Sequence, residues 1–131
     1  MKLLTFFFAI FPVLCFSGDE ILNQVEIFYV PIGVETYMPM TPENIEESAV
    51  FVGEIALTNR RIKKLFKLLG SSSKGEFEID NLRAKIVLPE NKVTYIDNNG
   101  GIHSPELETY KLFDSELQAV KKILERVTVK R

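Results

Sequence analysis

The chain is 131 residues long, 46% apolar and 26% charged, with a formal net charge of −2. That composition fits one globular domain able to bury its own core, and excludes a disordered or collagen-like chain. The small acidic excess gives no general pull toward phosphate backbones or anionic lipid, so no nucleic acid partner is expected.

At the N-terminus, Lys2 precedes an apolar run, Leu3–Phe16, interrupted only by Thr5 and Pro12, and Ser17-Gly18-Asp19-Glu20 follows. This is the layout of a secretory signal peptide: a charged start, an apolar middle, then a small residue before a polar mature start. Residues 1–17 are therefore expected to be cleaved, leaving 18–131 as a single domain that is periplasmic or secreted. A retained anchor is the alternative, but a spanning helix needs about 20 apolar residues, and this run is shorter and carries Pro12. Lipid attachment at Cys15 is a second alternative, disfavoured by Leu14, which is not the small residue that precedes the modified cysteine in lipid-anchored bacterial precursors. Cys15 is the only cysteine, so cleavage leaves a domain without disulfides. Small secreted animal domains usually lean on several bridges, so a bacterial exported protein is expected. Cleavage leaves 15 basic against 18 acidic side chains.

Gln24–Val30 reads as the first strand, closed by Pro31, and an extended piece, Val34–Met40, follows Gly33. In Thr41-Pro42-Glu43-Asn44, Thr41 can cap, Pro42 suits a first helical position and Glu43 meets the positive end of the dipole, predicting a short helix that ends near Ser48. Tyr37-Met38-Pro39-Met40 suggests an adaptable apolar surface, expected to pack beneath that helix, with exposure to a partner as the alternative. Ala49–Leu57, apolar on both faces apart from Glu54, predicts a central strand. Thr58 is the next expected cap, and Ile62, Leu65, Phe66 and Leu69 give Asn59–Leu69 a helical stripe. Gly70 is expected to end this helix in the left-handed conformation, ahead of a flexible serine loop.

Glu76–Ile79 predicts a short extended stretch, and Asp80-Asn81 a turn. Leu82–Leu88 is expected to place Leu82, Ala84, Ile86 and Leu88 on one face, with Arg83 and Lys85 on the other. Pro89–Lys92 is a tight turn returning Val93–Asp97 antiparallel, and Asp97–Gly101 is a wider one. Glu108–Phe113 predicts another strand. Asp114 or Ser115 caps a last helix, Glu116–Arg126, striped by Leu117, Val120, Leu124 and Val127; Ser115 and Gln118 have capping-box spacing. Val127–Arg131 reads as a frayed basic tail. The order of elements predicts an α+β domain with a mainly antiparallel sheet and two or three helices packed on one face.

No catalytic signature, metal motif or phosphate loop follows residue 17, so neither an enzyme nor a cofactor is expected. Asp97, Asn99 and Glu108 fall at the first, third and twelfth places of a calcium loop, but Ile102 stands where that loop requires glycine. His103 is the only histidine and has no cysteine partner, which excludes a His-His or His-Cys zinc site. Neither Ser104-Pro105 nor Ser71-Ser72-Ser73 resembles a strained nucleophile elbow. Glu43, Glu46 and Glu47 share one face of the short helix, too close together for two carboxylates facing across a glycosidase cleft. Arg60, Arg61, Lys63, Lys64 and Lys67 surround the stripe of the next helix. They are expected to be solvated, and part of this basic face could pair with the acidic helix.

The composition, the expected export and the lack of reaction chemistry together suggest a small protein-binding domain. The most plausible case is an inhibitor or immunity protein that occludes a toxin or enzyme with a basic cleft in the periplasm. The expected partner-binding residues are the acidic face Glu43, Glu46 and Glu47 and the polar loop Asp97, Asn98, Asn99 and His103. A small periplasmic hydrolase using Asp97, His103 and Glu108 is the rival reading, and a structural accessory subunit of an envelope complex is the third.

Overall fold

Eight strands form one antiparallel sheet in a computed structural model that describes residues 23–104 and 109–131. The signal-like segment, Cys15 and Glu108 lie outside the described residues. In chain order the elements are β1 (Gln24–Tyr29), α1 (Ile45–Ser48), β2 (Phe51–Ala56), α2 (Arg60–Gly70), β3 (Ser73–Lys74), β4 (Leu82–Val87), β5 (Val93–Asp97), β6 (Gly101–His103), β7 (Tyr110–Lys111), α3 (Asp114–Val127) and β8 (Val129–Lys130). The sheet order is β3-β7-β6-β5-β4-β1-β2-β8. This is an α+β domain, and no helix among the described residues is long and apolar enough to cross a membrane.

The period-2 pattern of the strands divides the core in two. Val25, Ile27, Tyr29, Ala84, Ile86 and Ile96 face α2 and α3, which supply Ile62, Leu65, Leu117, Val120, Ile123, Leu124 and Val127. Each of these aliphatic side chains contributes about 1.5–3 kcal/mol by leaving water. On the opposite face Phe28, Val30 and Leu82 pack with Met40, Ile45 and Ala49, so α1 covers that side alone. Gly53 lies where β2 passes the end of α3: a Cβ there would stand 2.3 Å from the Val127 carbonyl oxygen.

Several local expectations are corrected. Leu82 and Ala84 occupy opposite faces, because a bulge sets Leu82 opposite Asp97 and Ala84 opposite Ile96, leaving Arg83 as the extra residue. β2 is not deep within the sheet, since its outer neighbour, β8, pairs only with Phe51 and Val52. The tail is thus no frayed end, and Arg131 donates through Nη2 to the Glu46 and Glu47 carbonyls at the end of α1.

Capping also differs. Asn59, not Thr58, caps α2 by accepting from the Arg61 and Ile62 N–H groups at 2.8 and 3.4 Å. Gly70 stays helical, and the orphan carbonyls of Leu68 and Leu69 accept from the Ser71 and Ser72 hydroxyls at 2.6 and 2.7 Å. Thr41 lends its carbonyl rather than its hydroxyl to the turn before α1, and Asn44 Oδ1 accepts from the Thr41 N–H at 2.8 Å. Ser115 lies inside α3, where its hydroxyl donates to Glu116 instead of forming a capping box with Gln118.

Candidate functional site

The loop after β5 is a structural joint. Asp97 is only 1% exposed. Its Oδ1 accepts from the Asn99 and Gly101 N–H groups at 2.8 and 2.7 Å, and its Oδ2 from the Glu78 N–H at 2.8 Å. A buried carboxylate needs such donors, because unpaired it would be strongly disfavoured. Gly100 supplies the positive φ, +89°, that the turn requires, and Gly101 leaves room for the carboxylate, since a Cβ there would lie 2.4 Å from Oδ2. Asn98 Oδ1 accepts from the Gly33 N–H at 2.7 Å, and Asn99 Nδ2 donates to Glu78 at 2.9 Å. Asp97 therefore points inward, Asn98 is half-buried with its Oδ1 turned to Gly33, and Asn99 is exposed.

His103 stacks on Phe77, with ring centroids 5.2 Å apart, and lies opposite Tyr95 across β5 and β6. Its Nδ1 has no hydrogen-bond partner among the described residues, so His103 and Asp97 are not joined as a base and its orienting acid would be. Glu108, the third member of that expected trio, lies outside the described residues.

The acidic face is partly committed. Glu43 lies in the turn before α1 rather than on a shared helix face, because the helix begins only at Ile45; Glu46 pairs with Lys85 of β4, tying α1 to the sheet, and all three carboxylates are exposed. The expected pairing of α1 with the basic helix does not occur, because α1 and α2 lie on opposite faces of the sheet.

The loop leading into α1 divides the Tyr37–Met40 segment between solvent and core. Met40 packs inward as expected, but Val34, Met38 and above all Tyr37 project into solvent. This loop is held at both ends. Gly33 donates to Asn98, and the Val34 carbonyl accepts from Arg83 Nη2 at 2.9 Å. Thr36 Oγ1 donates to the Met38 carbonyl at 2.7 Å, Asn44 Nδ2 to the Pro39 carbonyl at 2.9 Å, and the Leu82 N–H to the Met40 carbonyl at 2.9 Å. Arg83, 3% exposed, is central to this anchoring: its Nη1 also donates to the Leu82 carbonyl at 2.8 Å. Burial pushes the guanidinium below the ordinary arginine value, and the charge of Asp97 opposes that shift. The signal for Arg83 was an arginine between the apolar Leu82 and Ala84 of a strand; for Tyr37, it was an aromatic between Thr36 and Met38-Pro39.

Three clefts lie on the helix-covered side. One, of about 350 Å³, is apolar and bordered by Phe66, Leu69, Ile102 and Tyr110. A second, of about 470 Å³, runs between α2 and α3 and is basic. A third, of about 530 Å³, sets Lys63, Lys64 and Lys67 of α2 beside Glu116 of α3. No group of three or more His, Cys, Asp or Glu side chains among the described residues is arranged to hold a metal. No protein-family model matches the chain, and no curated protein or solved structure matches it.

Proposed function

We propose that this chain is an exported protein-binding domain that acts by occlusion, as an inhibitor or immunity protein of a periplasmic toxin or enzyme. One observation carries the reading: a fully exposed tyrosine on a loop whose backbone is tied down on both sides, flanked by exposed acids. Tyr37 and Met38 are an exposed apolar pair, and Glu35 beside them in the loop and Glu43 and Glu47 after it are exposed acids. Aromatic anchors dominate binding energy when they enter a pocket, and a pre-fixed loop avoids the ordering cost of docking. These acids favour a partner whose pocket is edged with lysine or arginine, where complementary charge speeds encounter and fixes orientation.

Of the residues expected from the sequence to bind, Glu43 and Glu47 remain at this surface, while Asp97 and Asn98 act beneath it by holding Gly33 and the neighbouring turn. The test is comparative affinity capture from a periplasmic extract. Tyr37→Ala, or Glu43→Lys with Glu47→Lys, is expected to lose a partner that the wild-type protein and His103→Ala both retain. Equal capture by all four proteins would sink the reading. A hydrolytic activity lost only with His103→Ala would favour the enzyme instead.

A further inference from the structure

The charge of the described residues is unevenly divided between the two long helices and the rest of the fold. α2 and α3 together carry eight basic and three acidic side chains, and elsewhere the described residues carry seven basic against eleven acidic. α2 has no acidic residue at all, and its N-terminal turns hold Arg60, Arg61, Lys63 and Lys64. Cations there oppose the helix dipole, and same-sign neighbours such as Arg60 with Lys64 and Lys63 with Lys67 repel at the four-residue spacing. A solvated surface helix normally relieves such repulsion with interspersed glutamates, but none of these cations forms an ion pair with a described residue.

The repulsion is focused in the groove between the helices. Arg61 and Lys64 form one wall and Lys122 and Arg126 part of the other, above Ala119 and the buried Ile123. The lining extends along α3 from Ser115 to Arg126, about 17 Å at 1.5 Å per residue, which is the length of about five residues of extended chain. We infer that this groove binds a short acidic peptide segment in an extended conformation, with carboxylates reaching both walls. It is a site separate from the Tyr37 surface and does not depend on that reading.

A peptide is favoured over longer or smaller anions for three reasons. No aromatic side chain lines the groove to stack nucleobases. A duplex or a flat anionic bilayer presents a broad surface that cannot enter the groove to meet both walls, whereas an extended segment can lie between Arg61 and Lys64 on one side and Lys122 and Arg126 on the other. A single small anion would leave cations along the rest of the groove unneutralised.

The test is fluorescence anisotropy of a fluorescein-labelled hexapeptide of four glutamates and two alanines, titrated with the purified protein. Saturable binding is expected, weakened as sodium chloride rises from about 0.05 M to about 0.5 M. The glutamine counterpart should not bind. Lys64→Glu with Lys122→Glu should lose at least about tenfold in affinity, whereas Lys130→Glu, on β8, should stay within about twofold. If circular dichroism shows the reversed variant unfolded, Lys64→Gln with Lys122→Gln replaces it, with a loss of about threefold expected. Unchanged affinity in a folded groove variant, equal binding of the glutamine peptide, or tighter binding of tripolyphosphate or phosphatidylglycerol vesicles through Lys64 and Lys122 would overturn the inference.

Discussion

Replacing Asp97 by alanine tests whether this side chain is a structural joint or a contact surface. The substitution removes the acceptors of three backbone N–H groups, those of Glu78, Asn99 and Gly101. The Gly101 bond is buried, so its donor keeps the full desolvation penalty of about 1–3 kcal/mol, while the two part-buried donors can recover some hydration. The guanidinium of Arg83 also loses the nearby negative charge that offsets its burial. The expected total is about 3–5 kcal/mol, a large fraction of the ~5–15 kcal/mol that holds a domain of this size together. With a urea slope of about 2 kcal/mol per molar, the midpoint followed by far-ultraviolet circular dichroism should fall by roughly 1.5–2.5 M. Asp97→Asn should cost less, because one oxygen can keep the two bonds to Asn99 and Gly101 while its amide nitrogen faces the Glu78 N–H. A loss below about 0.5 kcal/mol in Asp97→Ala, with weakened partner capture, would refute the structural role and return Asp97 to the surface.

Phe66→Ala should destabilise by about 1.5–3 kcal/mol, less than the 3–5 typical of a fully buried ring, because Phe66 borders an open cleft; a thermal melt equal to wild type would mean that α2 packs elsewhere. Gly53→Ala should cost about 1–3 kcal/mol by pressing a methyl group against the Val127 carbonyl, and an unchanged urea midpoint would contradict that close approach. Burial raises the Tyr29 phenol above the ordinary tyrosine value, against the Ile32 N–H and with help from Glu125. The fold therefore favours the neutral phenol, so this contribution is intact below about pH 10 and is lost as pH rises through the folded value. Tyr29→Phe should flatten the alkaline fall in stability, and an identical fall in both proteins would contradict it.

Much of the framework could be read from patterns of two and three to four residues. The stripes of α2 and α3 and the β4–β5 hairpin declared themselves because their apolar periods span enough residues to fix a face. The bulge at Arg83 was hidden because one extra residue reverses the facing of Leu82 without disturbing the local alternation. Asp97 looked like a surface residue because Asp-Asn-Asn-Gly-Gly is also what an exposed turn uses. Only its three long-range and local donors distinguish the two cases, and the contact with Glu78 lies 19 residues away in sequence. Tyr37 was expected to pack beneath α1 with its methionine neighbours; its loop is instead anchored through Asn98, Arg83 and Asn44 with the ring in solvent. The tail became a strand because Val129 and Lys130 meet the free edge of Phe51 and Val52, a pairing with no local signature.

The central claim is that a macromolecular partner docks on the Tyr37 loop and the acidic helix beside it. Hydrogen–deuterium exchange, measured on the protein alone and bound to the partner it captures, tests this most directly. The account predicts new protection concentrated in residues 33–48, with 97–103 changing only where Asn98 holds Gly33. Protection centred on α2 or on His103, with residues 33–48 unchanged, would contradict it.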